Sequence, residues 1–150
     1  SAVLRDPTGA VINLWQAKQH QGIGLWGEVG AFCWAELMTH DTAAARKFYT
    51  ALFGWKTSEG QGVSVPYTHW QNAGAEIGGM IAIQAAWGQM PSHWNNYVQV
   101  ANCDETVEKV RSLEGKVCMS PTDLPNTGRF AMVQDPQGAM LSIIELIVKQ

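Results

Sequence analysis

The sequence is short of charge, short of cysteine, and free of long apolar runs. Charged residues are 15% of the 150 positions and apolar residues 46%. A disordered chain needs the reverse balance. Lys and Arg number 10 against 13 Asp and Glu, a net charge of −3. With no basic stripe to neutralise phosphates, nucleic acid is excluded as a partner. No stretch approaches the roughly 20 apolar residues of a membrane span. No basic segment followed by an apolar one opens the chain, so a secretory signal is not expected. The three cysteines (Cys33, Cys103, Cys118) are an odd set without CxxC spacing. They suit reduced thiols and a cytoplasmic protein better than a disulfide framework. GxGxxG, GxxxxGK[ST] and GxSxG are all missing, which removes the common nucleotide-binding and nucleophile-elbow readings.

Tryptophan, by contrast, is abundant, with seven residues. Wide aromatic surfaces suit either a core or a small-molecule pocket. Two repeats stand out. Asp6-Pro7-Thr8-Gly9-Ala10 recurs as Asp135-Pro136-Gln137-Gly138-Ala139. Pro fixes φ at the second turn position and Gly accepts a positive φ. Each copy is flanked by apolar runs, so each predicts a β-hairpin.

The second repeat is looser. Trp34 to Met38 predicts a strand, with Trp34, Glu36 and Met38 on one face. Asp41 then caps a helix whose stripe is read as Ala44, Phe48 and Leu52, and Gly54 ends it. In the second half, Tyr97 to Val100 predicts a strand. Asn102 or Asp104 caps a helix carrying Val107, Val110 and Leu113, and Gly115 ends it. Three short strands follow each helix. The result is α+β, two βαβββ modules with an extra N-terminal β-hairpin. Residues 85–94 read as the linker between modules, and the glycine-rich 18–30 as a second linker.

This order resembles the vicinal oxygen chelate superfamily, which includes glyoxalase I, bleomycin-resistance proteins and extradiol dioxygenases. The residues that carry the likeness are Phe32-Cys33-Trp34-Ala35-Glu36-Leu37, Asp41 through Phe48-Tyr49, Leu52-Phe53-Gly54-Trp55, Ile77-Gly78-Gly79-Met80, and Gly128-Arg129-Phe130 through Ala139. The likeness spans residues 31–148, with modules of about 31–84 and 94–148. It is nearest to glyoxalase-like proteins in which two such domains are fused. That implies that residues 1–17 are an orphan hairpin from the end of a preceding domain. Such a hairpin is expected to seek a sheet edge, its own or a partner's; a homodimer is the expected assembly, with hairpin exchange as one form of it.

The resemblance also implies metal-ligand positions on the first and last strands of each module. They fall on Trp34, Gly78 or Gly79, Asn95 and Ser142. Indole and glycine cannot ligate, and amide and hydroxyl are weak donors to transition metals. No cofactor is therefore expected, with a divalent metal as the alternative. The histidines have no ligand spacing. His20 falls in a linker, His40 at the first helix entrance and His93 beside Trp94. His69 shares a strand face with Tyr67 and Gln71 and could line the pocket.

Glu36 is the leading polar candidate. A buried carboxylate needs a partner or a raised pKa. It could be a general base, contact a cationic or hydroxylated ligand, or simply pair with Arg129, Tyr97 or backbone N–H groups. Arg129 could clamp an anion or sit exposed at a hairpin end. Cys103 lies at a helix start, which favours a thiolate, but has no base nearby. The expected site is Trp34, Glu36, His69, Met80, Asn95, Tyr97, Arg129 and Ser142, around a small aromatic or oxygen-rich molecule. Metal-free binding of the bleomycin-resistance kind is the leading reading. A metal-dependent lyase, isomerase or dioxygenase and a non-catalytic association module are the alternatives.

Overall fold

Among the described residues, two α-helices organise the fold, and each is fixed by its own sequence. Helix α1 (Thr42–Phe53) is capped by Asp41, whose carboxylate accepts from the Ala44 N–H at 2.9 Å. It stops at Gly54, which takes the left-handed conformation at φ +69° that residues with a Cβ resist. Helix α2 (Cys103–Ser112) is capped by Asn102, which accepts from the Glu105 N–H. The computed structural model describes residues 1–60 and 65–148. Within these residues there are ten strands: β1 (Ala2–Arg5), β2 (Val11–Leu14), β3 (Phe32–Thr39), β4 (Lys56–Glu59), β5 (Tyr67–Asn72), β6 (Ala75–Ala82), β7 (His93–Gln99), β8 (Lys116–Leu124), β9 (Gly128–Gln134) and β10 (Met140–Leu146). The class is α+β, with two βαβββ modules in succession and a separate N-terminal hairpin. Among the described residues, no helix is long and apolar enough to cross a membrane.

Contacts group the chain into two units, Ser1–Gly22 with Ala35–Trp94, and Ile23–Trp34 with Asn95–Gln150. In the first, the strand order is β4-β5-β6-β3. Its core comprises Ala10, Leu37, Ala45, Tyr49, Trp70 and Met80. Tyr49 is ringed by aromatic side chains, stacked on Trp55 and edge-on to Trp70 and Trp94. In the second, the order is β7-β10-β9-β8, with Cys103, Val107, Ala131, Val133 and Ile143 packed together.

Three expectations need correcting. The buried stripe of α1 runs through Ala45 and Tyr49, with Phe48 and Phe53 packed beside it, while Leu52 is 44% exposed. A tyrosine can occupy the core here because its hydroxyl has partners. On α2, Cys103 joins Val107 in the core and Leu113 is 63% exposed. Finally, β7 begins at His93, so His93 and Trp94 are strand residues rather than linker.

The hairpin β1–β2 forms its own two-stranded sheet and does not extend either strand order. It is seated on the first unit by its turn. Ala10 is 0% exposed within that core, with Ile12 packed alongside. Asp6 is buried, and its Oδ2 accepts from the Tyr49 hydroxyl at 2.9 Å.

Candidate functional site

Strand register in the first unit brings three positions into one row. Glu36 on β3 is opposite Gly79 on β6, and Gly79 is opposite His69 on β5. Side chains alternate along a strand, so Glu36, Gly79 and His69 share the face turned away from Leu37 and Met80. The other face lies in the α1 core. Gly79 is required by its neighbour. A Cβ there would lie 1.9 Å from the Tyr67 hydroxyl, so the tyrosine ring fills the place a side chain would take. Gly78 is required by backbone, since its Cβ would lie 2.6 Å from the Ala35 carbonyl oxygen.

The row therefore carries a carboxylate, an imidazole and a phenol. Glu36 is 7% exposed. His69 stands edge-on to Tyr67, with ring centroids 5.2 Å apart. Its Nδ1 lies 2.9 Å from Glu76 Oε2. A carboxylate oxygen at that distance calls for a proton on Nδ1, which is then the donor of the pair. Tyr67 was not anticipated as a functional residue. The signal was its shared strand face with His69 together with a glycine in the facing strand.

The second unit carries a polar face of its own. Asn95, Tyr97 and Gln99 alternate on one side of β7, and Ser142 pairs with Tyr97 across β10. The Asn95 amide donates to Ser142 Oγ at 2.8 Å, both residues being buried. Tyr97 is buried and its ring centre lies 6.2 Å from that of Phe130. Among the described residues, Asn95 Oδ1 and Gln99 Oε1 are buried acceptors without a hydrogen-bond partner. Gln99 was missed in the sequence, although the alternation from Asn95 points to it.

Two expected site residues are placed elsewhere. Met80 is 1% exposed in the α1 core, because β alternation turns it opposite to Gly79. The fork of Arg129 is occupied, with Nε and Nη2 donating to Asp104 at 2.7 and 3.0 Å and Nη1 to Asp123 at 2.8 Å. It ties β9 to β8 and to the start of α2. These bonds hold the Asp104 carboxyl below its ordinary range and the guanidinium above its own. Trp34 is partly buried on β3, two residues before Glu36 and on the same strand face. Burial pushes the Cys103 thiol up, so its position at a helix start does not produce a thiolate. A groove of about 520 Å³ lined by His40, Ala85 and Gly88 to Pro91 contains none of the expected site residues. The imidazole of His40 is engaged there by the Met90 carbonyl oxygen at 2.8 Å.

A transition-metal ion does not fit the positions the resemblance implied. They hold an indole at Trp34, a glycine whose Cβ space is filled by Tyr67, and an amide and a hydroxyl bonded to each other. Among the described residues there is no group of three or more His, Cys, Asp or Glu able to hold a metal. Hard-oxygen donors of the amide and hydroxyl type bind such ions weakly.

Comparison with known proteins agrees with this architecture. In sequence, the chain is 36% identical over 143 residues to "Putative glyoxylase CFP32" of Mycobacterium tuberculosis (strain CDC 1551 / Oshkosh), covering 95% of this chain and 54% of that protein. It is 33% identical over 145 residues to "Anthracycline biosynthesis protein DauV" of Streptomyces sp. (strain C5), covering 97% and 52%. The chain thus spans about half the length of the curated relatives it matches. In structure, it resembles methylmalonyl-CoA epimerase from Mycobacterium tuberculosis with a TM-score of 0.56 at 13% identity, covering 78% of this chain and 88% of that one. It also resembles the hypothetical protein BH1468 from Bacillus halodurans C-125, with a TM-score of 0.58 at 10% identity, covering 79% and 96%. At these identities the likeness concerns the fold alone. The Glyoxalase/Bleomycin resistance protein/Dioxygenase superfamily model matches residues 31–143, and the chain belongs to that superfamily.

Proposed function

We propose that this chain binds a small aromatic, oxygen-bearing molecule without a metal ion, and that Glu36 is its principal polar contact. The observation that carries this reading is the row of Glu36, Gly79 and His69 with the Tyr67 hydroxyl over the glycine. Such a row offers a carboxylate acceptor, an imidazole and an aromatic edge on one surface. That combination suits a flat ligand carrying hydroxyl groups. Trp34, two residues from Glu36 on the same face of β3, adds aromatic surface.

The naming of the Streptomyces relatives for anthracycline biosynthesis supports the same ligand class, because an anthracycline is a polycyclic aromatic quinone. The donor set supports binding without a metal. The three free cysteines support work in the reducing cytoplasm.

The test is a tryptophan-fluorescence titration with 1,2-dihydroxyanthraquinone. Native protein is expected to be quenched saturably. Glu36→Gln is expected to weaken binding by about tenfold or more, the size of one charge-assisted hydrogen bond. Trp34→Ala is expected to lower both the affinity and the quenching amplitude. An absence of saturable quenching, or an affinity unchanged in Glu36→Gln, contradicts the reading.

A further inference from the structure

The two Asp-Pro-x-Gly-Ala turns have the same internal geometry and different surroundings. In the first, the Asp6 N–H donates to the Ala10 carbonyl at 2.9 Å and the Gly9 N–H to the Asp6 carbonyl at 3.1 Å. In the second, the corresponding bonds of Asp135, Ala139 and Gly138 are 2.9 and 3.0 Å. Asp6 Oδ1 accepts from the N–H groups of Thr8 and Ala10 at 2.8 and 3.1 Å. Asp135 Oδ1 accepts from those of Gln137 and Ala139, each at 2.9 Å. Gly9 and Gly138 have φ of +100° and +97°.

The first turn is docked. Its Asp6 Oδ2 accepts from the Tyr49 hydroxyl, which itself accepts from Trp94 Nε1 at 3.0 Å. Its alanine is sealed into the core with Leu37, Ala45 and Trp70. Turn and receiver together form a knob and a socket. In the second turn, Pro136 to Ala139 are exposed, and Asp135 Oδ2 has no hydrogen-bond partner among the described residues. It is the same knob without a socket.

We propose that the Asp135 turn is a docking knob whose receiver is the Tyr49 socket of a second copy of this chain. Asp135 Oδ2 accepts a hydrogen bond from the Tyr49 hydroxyl of that copy, and Ala139 sits where Ala10 sits. The chain's own hairpin competes for the same socket. Being tethered, it has the advantage of a high effective concentration. The contact between copies is therefore latent in the native chain and opens when the hairpin leaves. The inference does not depend on the ligand reading above.

The experiment is sedimentation velocity over a range of concentrations. Ala10→Asp puts a charge into a sealed core position and ejects the hairpin. This variant is expected to shift to a larger species as concentration rises. Adding Ala139→Asp, at an exposed position, is expected to return it to the sedimentation coefficient of the native chain. Should Ala10→Asp not fold by circular dichroism, Asp6→Asn decides the matter. It keeps the Oδ1 turn acceptor and removes the carboxylate oxygen that Tyr49 uses. Asp6→Asn is expected to associate more than native, and Asp6→Asn with Asp135→Asn no more than native. Folded Ala10→Asp and Asp6→Asn single variants that sediment like the native chain overturn the proposal. So does association that survives Ala139→Asp or Asp135→Asn.

Discussion

Tyr49, wholly buried on α1, donates its hydroxyl proton to Asp6 Oδ2 at 2.9 Å, across 43 residues of chain. Burial first, and the neighbouring Asp6 carboxylate with it, push the phenol pKa above its ordinary value, so the hydroxyl is a donor at neutral pH. The bond is what admits a phenol to the core and seats the N-terminal hairpin there.

Tyr49→Phe keeps the ring packing and removes the hydroxyl, leaving Asp6 Oδ2 and Trp94 Nε1 without this partner. Stability is expected to fall by roughly 1–3 kcal/mol, the cost of unmet buried polar groups. Urea denaturation followed by circular dichroism measures it. A variant as stable as the native protein contradicts the role given to this bond.

The two adjacent glycines of β6 predict different outcomes for the same substitution. At Gly78 the obstacle is the backbone oxygen of Ala35, which cannot move without disturbing the β3–β6 ladder. Gly78→Ala is expected to destabilise the fold, by about 1–3 kcal/mol for a steric misfit of this kind. At Gly79 the obstacle is the tip of the Tyr67 side chain. Gly79→Ala is expected to displace that ring, keep most of the stability, and weaken binding of 1,2-dihydroxyanthraquinone. Thermal melts and fluorescence titrations of the two variants check this. Equal stability losses in both would contradict it.

Asp104 and Arg129 set an acid limb. The folded pKa of Asp104 lies below its ordinary value of 3.8, chiefly through the hydrogen bonds from Arg129. A depressed carboxylate contributes stability that is present above its ordinary pKa and lost as pH falls through the folded one. Asp104→Asn is therefore expected to be less stable than native at neutral pH, with the gap closing below pH 3.8. Added salt should narrow it as well, because these side chains meet solvent. Denaturation midpoints at neutral and acid pH test the sign, and a gap that widens on acidification contradicts it.

Much of the fold was legible because local chemistry and periodicity agree. Asp41 and Asn102 cap where a helix must start, Gly54 stops where a left-handed residue is needed, and the paired Asp-Pro-x-Gly-Ala turns form the expected hairpins. The α1 stripe was read one position off because a tyrosine looks like a surface residue until its hydroxyl has a partner. That partner, Asp6, belongs to the hairpin and lies far away in sequence. The site was legible only in part. Glu36 and His69 follow from strand alternation, but their sharing a row with Gly79 depends on register, which is a tertiary property. Arg129 and Met80 illustrate the rest. The first is claimed by two aspartates from other elements, and the second turns on a single-residue change of strand face.

The most direct test of the account is calorimetric titration of 1,2-dihydroxyanthraquinone into protein purified without chelator, with and without excess EDTA. The account predicts the same dissociation constant in both, because the row of Glu36, His69 and Tyr67 holds the ligand unaided. Binding that disappears with EDTA and returns with a divalent ion would contradict it.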